Sequence, residues 1–145
     1  MKLEKEIAGK LNISSQNSFV FYNVTETETL SLGKLFGGLL KSGDSVLLYG
    51  DIGSGKTFFS RAVIQNMMMR QRVLVEEVPS PTFTIVQSYD LLCPPVYHLD
   101  LYRLSNSDDI IELSLEDTLE TSIYLIEWPD KMGSFLPKRN LSFTF

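Results

Sequence analysis

The chain is short of cysteine, of histidine, of positive charge and of long apolar runs. Cys93 is the one cysteine in 145 residues, which excludes an internal disulfide framework and a cysteine-rich zinc site. It sits in the turn Cys93-Pro-Pro95 and reads as an inert thiol. No uninterrupted apolar span approaches the roughly 20 residues that a membrane helix needs. Met1 to Lys10 is charged and has no apolar centre, so it does not read as a signal peptide. A cytoplasmic protein without membrane attachment is the simplest reading. Lysine and arginine number 13 against 18 acids, a formal charge of -5, which argues against broad electrostatic adhesion to nucleic acid and leaves RNA contact to a partner or a local patch. There is no internal repeat and no low-complexity tract. The apolar fraction of 43% is enough for a proper core, and the length suits one folded domain, drawn here as 19–145 behind a polar arm at 1–18 that is loose or partly helical.

What the chain does have is Gly50-Asp-Ile-Gly-Ser-Gly-Lys-Thr57. Gly50, Gly55, Lys56 and Thr57 satisfy the phosphate-loop pattern G-x-x-x-x-G-K-[ST]. The apolar run Val46 to Tyr49 before it reads as a buried strand, and a helical pattern begins near Lys56. Strand, glycine loop and helix form the context in which this motif works. Gly50, Gly53 and Gly55 reach dihedrals closed to other residues. Asp51, Ile52 and Ser54 complete a loop whose backbone N–H groups converge on phosphate, helped by the positive end of the following helix. Lys56 supplies a mobile charge for the β and γ phosphates, and Thr57 supplies a hydroxyl to magnesium. The loop does not separate ATP from GTP.

Around it the expected elements alternate. Phe19 to Tyr22 reads as a strand. Thr25 and Glu28 have capping-box spacing ahead of a helix over Glu26 to Leu40, with Leu32, Leu35, Phe36, Leu39 and Leu40 as its apolar stripe; Gly37 and Gly38 either weaken it or permit close packing. In the helix after the loop, Phe58, Phe59, Ala62, Val63 and Met67 suit a surface pressed on a sheet. Met67 to Met69 reads as packing. Arg61 faces phosphate or is solvated or salt-bridged. Val78-Pro-Ser-Pro81 is held extended by its prolines and delivers Thr82 to a strand over Thr84 to Tyr89. A hydroxyl on such a stiff connection suits either a γ-phosphate sensor or a plain turn.

Two strands end in acids. In Val96 to Arg103, His98 and Asp100 share a face; Asp100 holds metal-bound water, orients the attacking water or simply caps the strand. His98 suits a structural or hydrogen-bonding role. Ile123 to Ile126 runs into Glu127, Trp128 and Pro129, and Glu127 competes with Asp100 for the metal side of a phosphate site. Trp128 packs in the core, lies beside the site or touches the base. Between these strands, Ser105 to Glu120 carries six acids and no basic residue over one or two short helices, either as a solvated face or as a docking surface for a basic partner. Leu141 to Phe145 alternates as a late strand.

Four separated segments closely resemble the TsaE family, the small ATPases of bacterial threonylcarbamoyladenosine biosynthesis on tRNA. They are Gly50 to Thr57, Ser80-Pro-Thr-Phe83, Tyr97-His-Leu-Asp-Leu-Tyr-Arg103 and Leu125-Ile-Glu-Trp128. The resemblance implies an α/β protein with a three-layer α/β/α P-loop NTPase fold and a mixed central sheet. It implies Lys56 on phosphate, Thr57 and Glu127 on Mg2+, Thr82 as the switch threonine and Asp100 as the acid of the H-x-D-x-Y-R segment that supports hydrolysis of ATP. Phe21 to Thr27 are expected to border the adenine. Members usually continue past the strand corresponding to Leu141–Phe145, and that continuation is expected to help frame the pocket. The family also implies weak hydrolysis alone and action with the TsaB and TsaD proteins, with tRNA met through that complex.

Two other readings of the phosphate loop remain. One is a small kinase, which would need a basic substrate lid that Leu104 to Trp128 gives little sign of. The other is a nucleotide-gated binding module in which hydrolysis is incidental.

Overall fold

The computed structural model describes residues 24–145 in full and, by backbone alone, the strands β1 (Leu11–Ser15) and β2 (Ser18–Phe21). These two pair antiparallel, so Leu11–Ser15 is extended where a loose or helical arm was expected. Met1 to Lys10, and Tyr22 of the expected first strand, lie outside the described residues.

The rest is built on a five-stranded sheet in the order β4-β5-β6-β3-β7. Its strands are β3 (Ser45–Tyr49), β4 (Val86–Tyr89), β5 (Val96–Asp100), β6 (Ile123–Glu127) and β7 (Asn140–Thr144). Parallel pairing joins β5 to β6, β6 to β3 and β3 to β7, whereas β4 runs antiparallel along β5. The sheet is therefore mixed. Its central strands are continuous apolar runs because both faces are covered. Val46, Leu48, Ile123 and Leu125 point into one cluster with Phe59, Val63 and Met67. Leu47, Tyr124 and Ile126 point into a second with Ile110, Leu115 and Met132.

The first cluster lies under α1 (Glu26–Leu39) and α2 (Lys56–Arg70). A full capping box opens α1: Glu28 N–H donates to Thr25 Oγ1 at 3.3 Å, and Thr25 N–H donates to Glu28 Oε2 at 2.7 Å. The expected leucine stripe is only half right, since Leu35 and Leu39 are 46% and 56% exposed. Gly33 and Gly37 take the contact face instead. A Cβ on Gly33 would stand 2.5 Å from Ala62 Cβ, and one on Gly37 would stand 2.8 Å from the Val63 carbonyl oxygen. The helices touch backbone to backbone along this seam. On α2, Phe59, Ala62, Val63, Met67 and Met68 are buried as packing residues, while Met69 is exposed.

The second face is covered by the short α3 (Asp109–Glu112) and by 3-10 turns at Leu115–Asp117 and Pro129–Phe135. The third layer is thus made of brief helices, as the acidic segment's spacing predicted. One boundary differs. The strand expected from Thr84 begins at Val86, because Ile85 adopts a left-handed φ of 67° and its N–H closes a turn on the Pro81 carbonyl at 2.6 Å. Thr82 therefore sits in a turn. Parallel pairing aligns the carboxyl ends of β3, β5 and β6, where open α/β sheets place ligands. Glu127 lies opposite Asp100 on one side and Leu48 on the other.

Candidate functional site

Residues 50–55 leave β3 and turn into α2, which begins at Lys56. Gly50, Gly53 and Gly55 have φ of 140°, 76° and 111°. At Gly50 the need for glycine is also steric, since a Cβ would meet Ser54 Oγ at 2.6 Å and the Phe145 carbonyl oxygen at 3.0 Å. Such a turn leaves the first N–H groups of α2 without carbonyl partners inside the helix.

Lys56 is buried under this loop, 4% exposed. Its ammonium donates to the carbonyls of Gly50 at 2.6 Å and Asp51 at 2.7 Å, and lies 3.5 Å from Ser54 Oγ. The Trp128 ring centroid is 4.3 Å from Nζ. Among the described residues no carboxylate pairs with this ammonium. Neutral carbonyls and an aromatic face leave its charge uncompensated, so the loop attracts an anion.

Beside it stand the two strand-end acids, both buried. Thr57 Oγ1 lies 2.8 and 3.0 Å from the two oxygens of Glu127. The same carboxylate meets His98 Nε2 at 2.8 Å. Asp100 accepts from Thr82 Oγ1 at 2.7 Å and from the Tyr102 N–H at 3.0 Å. The Thr82 proton goes to Asp100, so the 2.8 Å contact between Ser80 and Thr82 is a bond that Ser80 donates.

These groups share one cavity of about 400 Å³, walled by Ile52 to Phe58 on the loop side and by Ser80, Thr82, Asp100, Tyr102, Glu127 and Trp128 opposite. Lys56, Thr57, Thr82, Asp100, Glu127 and Trp128 are brought together around it. Gly50 and Asp51 do not wall the cavity; their carbonyls hold Lys56 from behind. Phe58 lines the cavity, although its helical spacing suggested the sheet side. Arg61 donates to the Val78 carbonyl at 2.9 Å and anchors the proline segment instead of facing phosphate. Tyr102 joins the site without a signal of its own beyond its place two residues after Asp100; it packs on Trp128 at 4.9 Å between ring centroids. Of the residues expected to border adenine, Phe21 to Asn23 lie outside the residues described with side chains, and Thr25 is occupied in capping α1.

A hydroxyl facing a carboxylate is an all-oxygen pair suited to magnesium, which keeps several waters and takes few protein ligands. Among the described residues no group of three or more His, Cys, Asp or Glu could hold a metal. An ion at Thr57 and Glu127 would therefore draw its remaining ligands from phosphate and water.

The family model described as "Threonylcarbamoyl adenosine biosynthesis protein TsaE" matches residues 23–145. The tRNA threonylcarbamoyladenosine biosynthesis protein TsaE of Rickettsia bellii (strain RML369-C) is 40% identical over 113 residues, covering 78% of this chain and 76% of that protein. Its counterpart in Rickettsia felis is 42% identical over 105 residues, 72% of this chain and 59% of the relative. The Bacillus subtilis protein of the same name is 32% identical over 119 residues, 81% and 71% of the two chains. Among solved structures, the crystal structure of Bacillus subtilus YdiB superposes with a TM-score of 0.66 at 28% identity, over 84% of this chain and 72% of that one.

Proposed function

The chain belongs to the TsaE family, and from that premise we propose that it is the ATP-binding and ATP-hydrolysing component of the machinery that makes threonylcarbamoyladenosine on tRNA. The observation that carries the reading is the meeting of Thr57 and Glu127 at the mouth of a glycine loop that holds an uncompensated lysine. Triphosphate supplies the missing negative charge. Lys56 has three N–H donors, and its long contact to Ser54 leaves one that a phosphate oxygen competes for readily. Backbone N–H groups from Ile52 to Gly55 surround the β phosphate, with Gly50 and Asp51 setting the loop's shape. Thr57 and Glu127 would hold Mg2+, which when bound would neutralise charge on the phosphates.

Asp100, on the next strand, is the acid that orients the attacking water, and Thr82 reports the γ phosphate through its bond to Asp100. Trp128 and Tyr102 wall the same cavity and limit water's approach to Lys56. Slow hydrolysis alone follows from an assembly in which Thr82 and Asp100 satisfy each other instead of a substrate. TsaB and TsaD are the partners in this reading; tRNA is met through them, in the cytoplasm. Among the described residues no helix is long and apolar enough to cross a membrane.

The test is ATP hydrolysis with and without the cognate TsaB–TsaD pair. Weak turnover alone and clear stimulation by the pair are expected. Absence of stimulation rejects the proposed role. Phosphate transfer to an added nucleoside identifies a kinase instead, and magnesium-dependent binding without hydrolysis under both conditions identifies a binding module.

A further inference from the structure

We propose that His98 is a positioning residue for the metal site: its Nε2–H holds the Glu127 carboxylate turned toward Thr57. The inference deepens the functional reading above and rests on it.

His98 is the only histidine in the chain, and it is 0% exposed. It lies on β5 opposite Leu125, two residues before Asp100 and diagonal to Glu127. Val96 and Leu125 belong to the cluster under α2, so strand alternation places His98, Asp100 and Glu127 on that same face. Nε2 is 2.8 Å from Glu127 Oε1, the oxygen that also lies 2.8 Å from Thr57 Oγ1. One carboxylate is thereby held from below by an imidazole and met from above by a hydroxyl.

The other ring nitrogen decides between this role and simple core filling. Nδ1 is buried and has no hydrogen-bond partner among the described residues. An apolar side chain of similar size would fill the space without burying an unpaired polar atom. What an apolar side chain lacks is the donor at Nε2. That donor fixes the tautomer, with the proton on Nε2 and Nδ1 bare. Groups that orient a ligating side chain in this way set metal affinity without touching the metal.

Two measurements test the assignment. Because the chain has one histidine, a long-range proton–nitrogen spectrum of the full chain reports its ring unambiguously. A protonated Nε2 beside a bare Nδ1 is expected; the opposite tautomer overturns the proposal. The second is calorimetry with a non-hydrolysable ATP analogue, in magnesium and in chelator. His98→Leu should lose about 10–100-fold in magnesium affinity with unchanged affinity for the magnesium-free analogue. His98→Gln, whose amide nitrogen reaches the Nε2 position, should recover most of that loss. Wild-type magnesium affinity in His98→Leu overturns the proposal alone. So does an equal weakening of both variants with and without magnesium. If the wild-type chain binds the analogue independently of magnesium, the functional reading fails first and takes this assignment with it.

Discussion

Thr57 and Glu127 stand 70 residues apart in the chain, yet the threonine hydroxyl lies within 3.0 Å of both oxygens of the glutamate. One hydroxyl proton cannot satisfy two carboxylate oxygens fully, so the pair offers oxygen lone pairs to a hard cation. Replacing Glu127 by Ala removes the carboxylate and leaves the buried His98 Nε2 without a partner. Magnesium-dependent affinity for an ATP analogue should fall at least tenfold, while chelator-resistant affinity changes little. The orphaned imidazole should also lower stability by about 1–3 kcal/mol, read as a shift in denaturant midpoint. Unchanged affinity in magnesium would remove Glu127 from the metal side.

Asp100 is separable from Glu127 by its partners. It is bonded to Thr82 and to the Tyr102 N–H, not to Thr57. Asp100→Ala should therefore spare nucleotide binding to within a few-fold and lose about 10²–10⁴ in turnover, the range for a positioned acid–base group. Single-turnover hydrolysis with the TsaB–TsaD pair distinguishes the two effects. Full partner-stimulated hydrolysis in this variant would show that another residue does the work.

Much of the site's geometry was legible in the chain because it depended on spacing. A glycine loop between an apolar run and a helical pattern fixes which end of the sheet carries the candidate phosphate site. Acids closing two other apolar runs then arrive at that same end. What stayed hidden depended on close approach between elements. Leu35 and Leu39 have the period of a buried stripe, yet Gly33 and Gly37 face α2 because only a missing Cβ lets the two backbones meet there. Ile85 falls inside the span whose composition predicts a strand, and nothing in a β-branched residue announces a left-handed φ. The partner of His98 also needed the sheet register, which sets β5 beside β6.

The seam between α1 and α2 makes a sharp test of packing. Gly33→Ala would place its Cβ 2.5 Å from Ala62 Cβ, with the Phe59 carbonyl oxygen at 3.1 Å. Alanine favours helix by about 1 kcal/mol over glycine, so propensity alone predicts a gain. Overpacking should win, giving a net loss of about 1–3 kcal/mol. Adding Ala62→Gly should relieve the clash, and the double variant should be less destabilised than the sum of the single ones. Additivity in chemical denaturation would mean that the helices separate freely.

Lys56 and Trp128 together provide an optical reading of occupancy. The chain's one tryptophan has the ammonium 4.3 Å from its ring. Phosphate competes for that ammonium, so adding an ATP analogue should change tryptophan emission in a saturable way. Lys56→Ala should weaken analogue binding by about 1.5–3 kcal/mol, the worth of a hydrogen bond to a charged group. It should also alter emission before any ligand is added. A Lys56→Ala titration that overlays the wild type would exclude the loop as the phosphate site.

Tyr124 governs part of the response to alkali. It is fully buried in the cluster beneath the short helices, stacked on Tyr97 at 5.0 Å and hydrogen-bonded to Thr118. Burial raises its pKa above the ordinary value of 10.0; the bond to Thr118 opposes the rise and Tyr97 adds to it. The sign follows directly. Between the unfolded value and the higher folded one, the unfolded chain has released this proton while the folded chain still holds it, so stability falls as pH rises above about 10. Below that range the contribution is complete. Tyr124→Phe removes both the titration and the hydrogen bond. Its stability near neutrality should be lower by about 1 kcal/mol, and its decline in alkali should be shallower than that of the wild type. Parallel alkaline declines in denaturant-midpoint measurements would show that Tyr124 keeps an ordinary phenol.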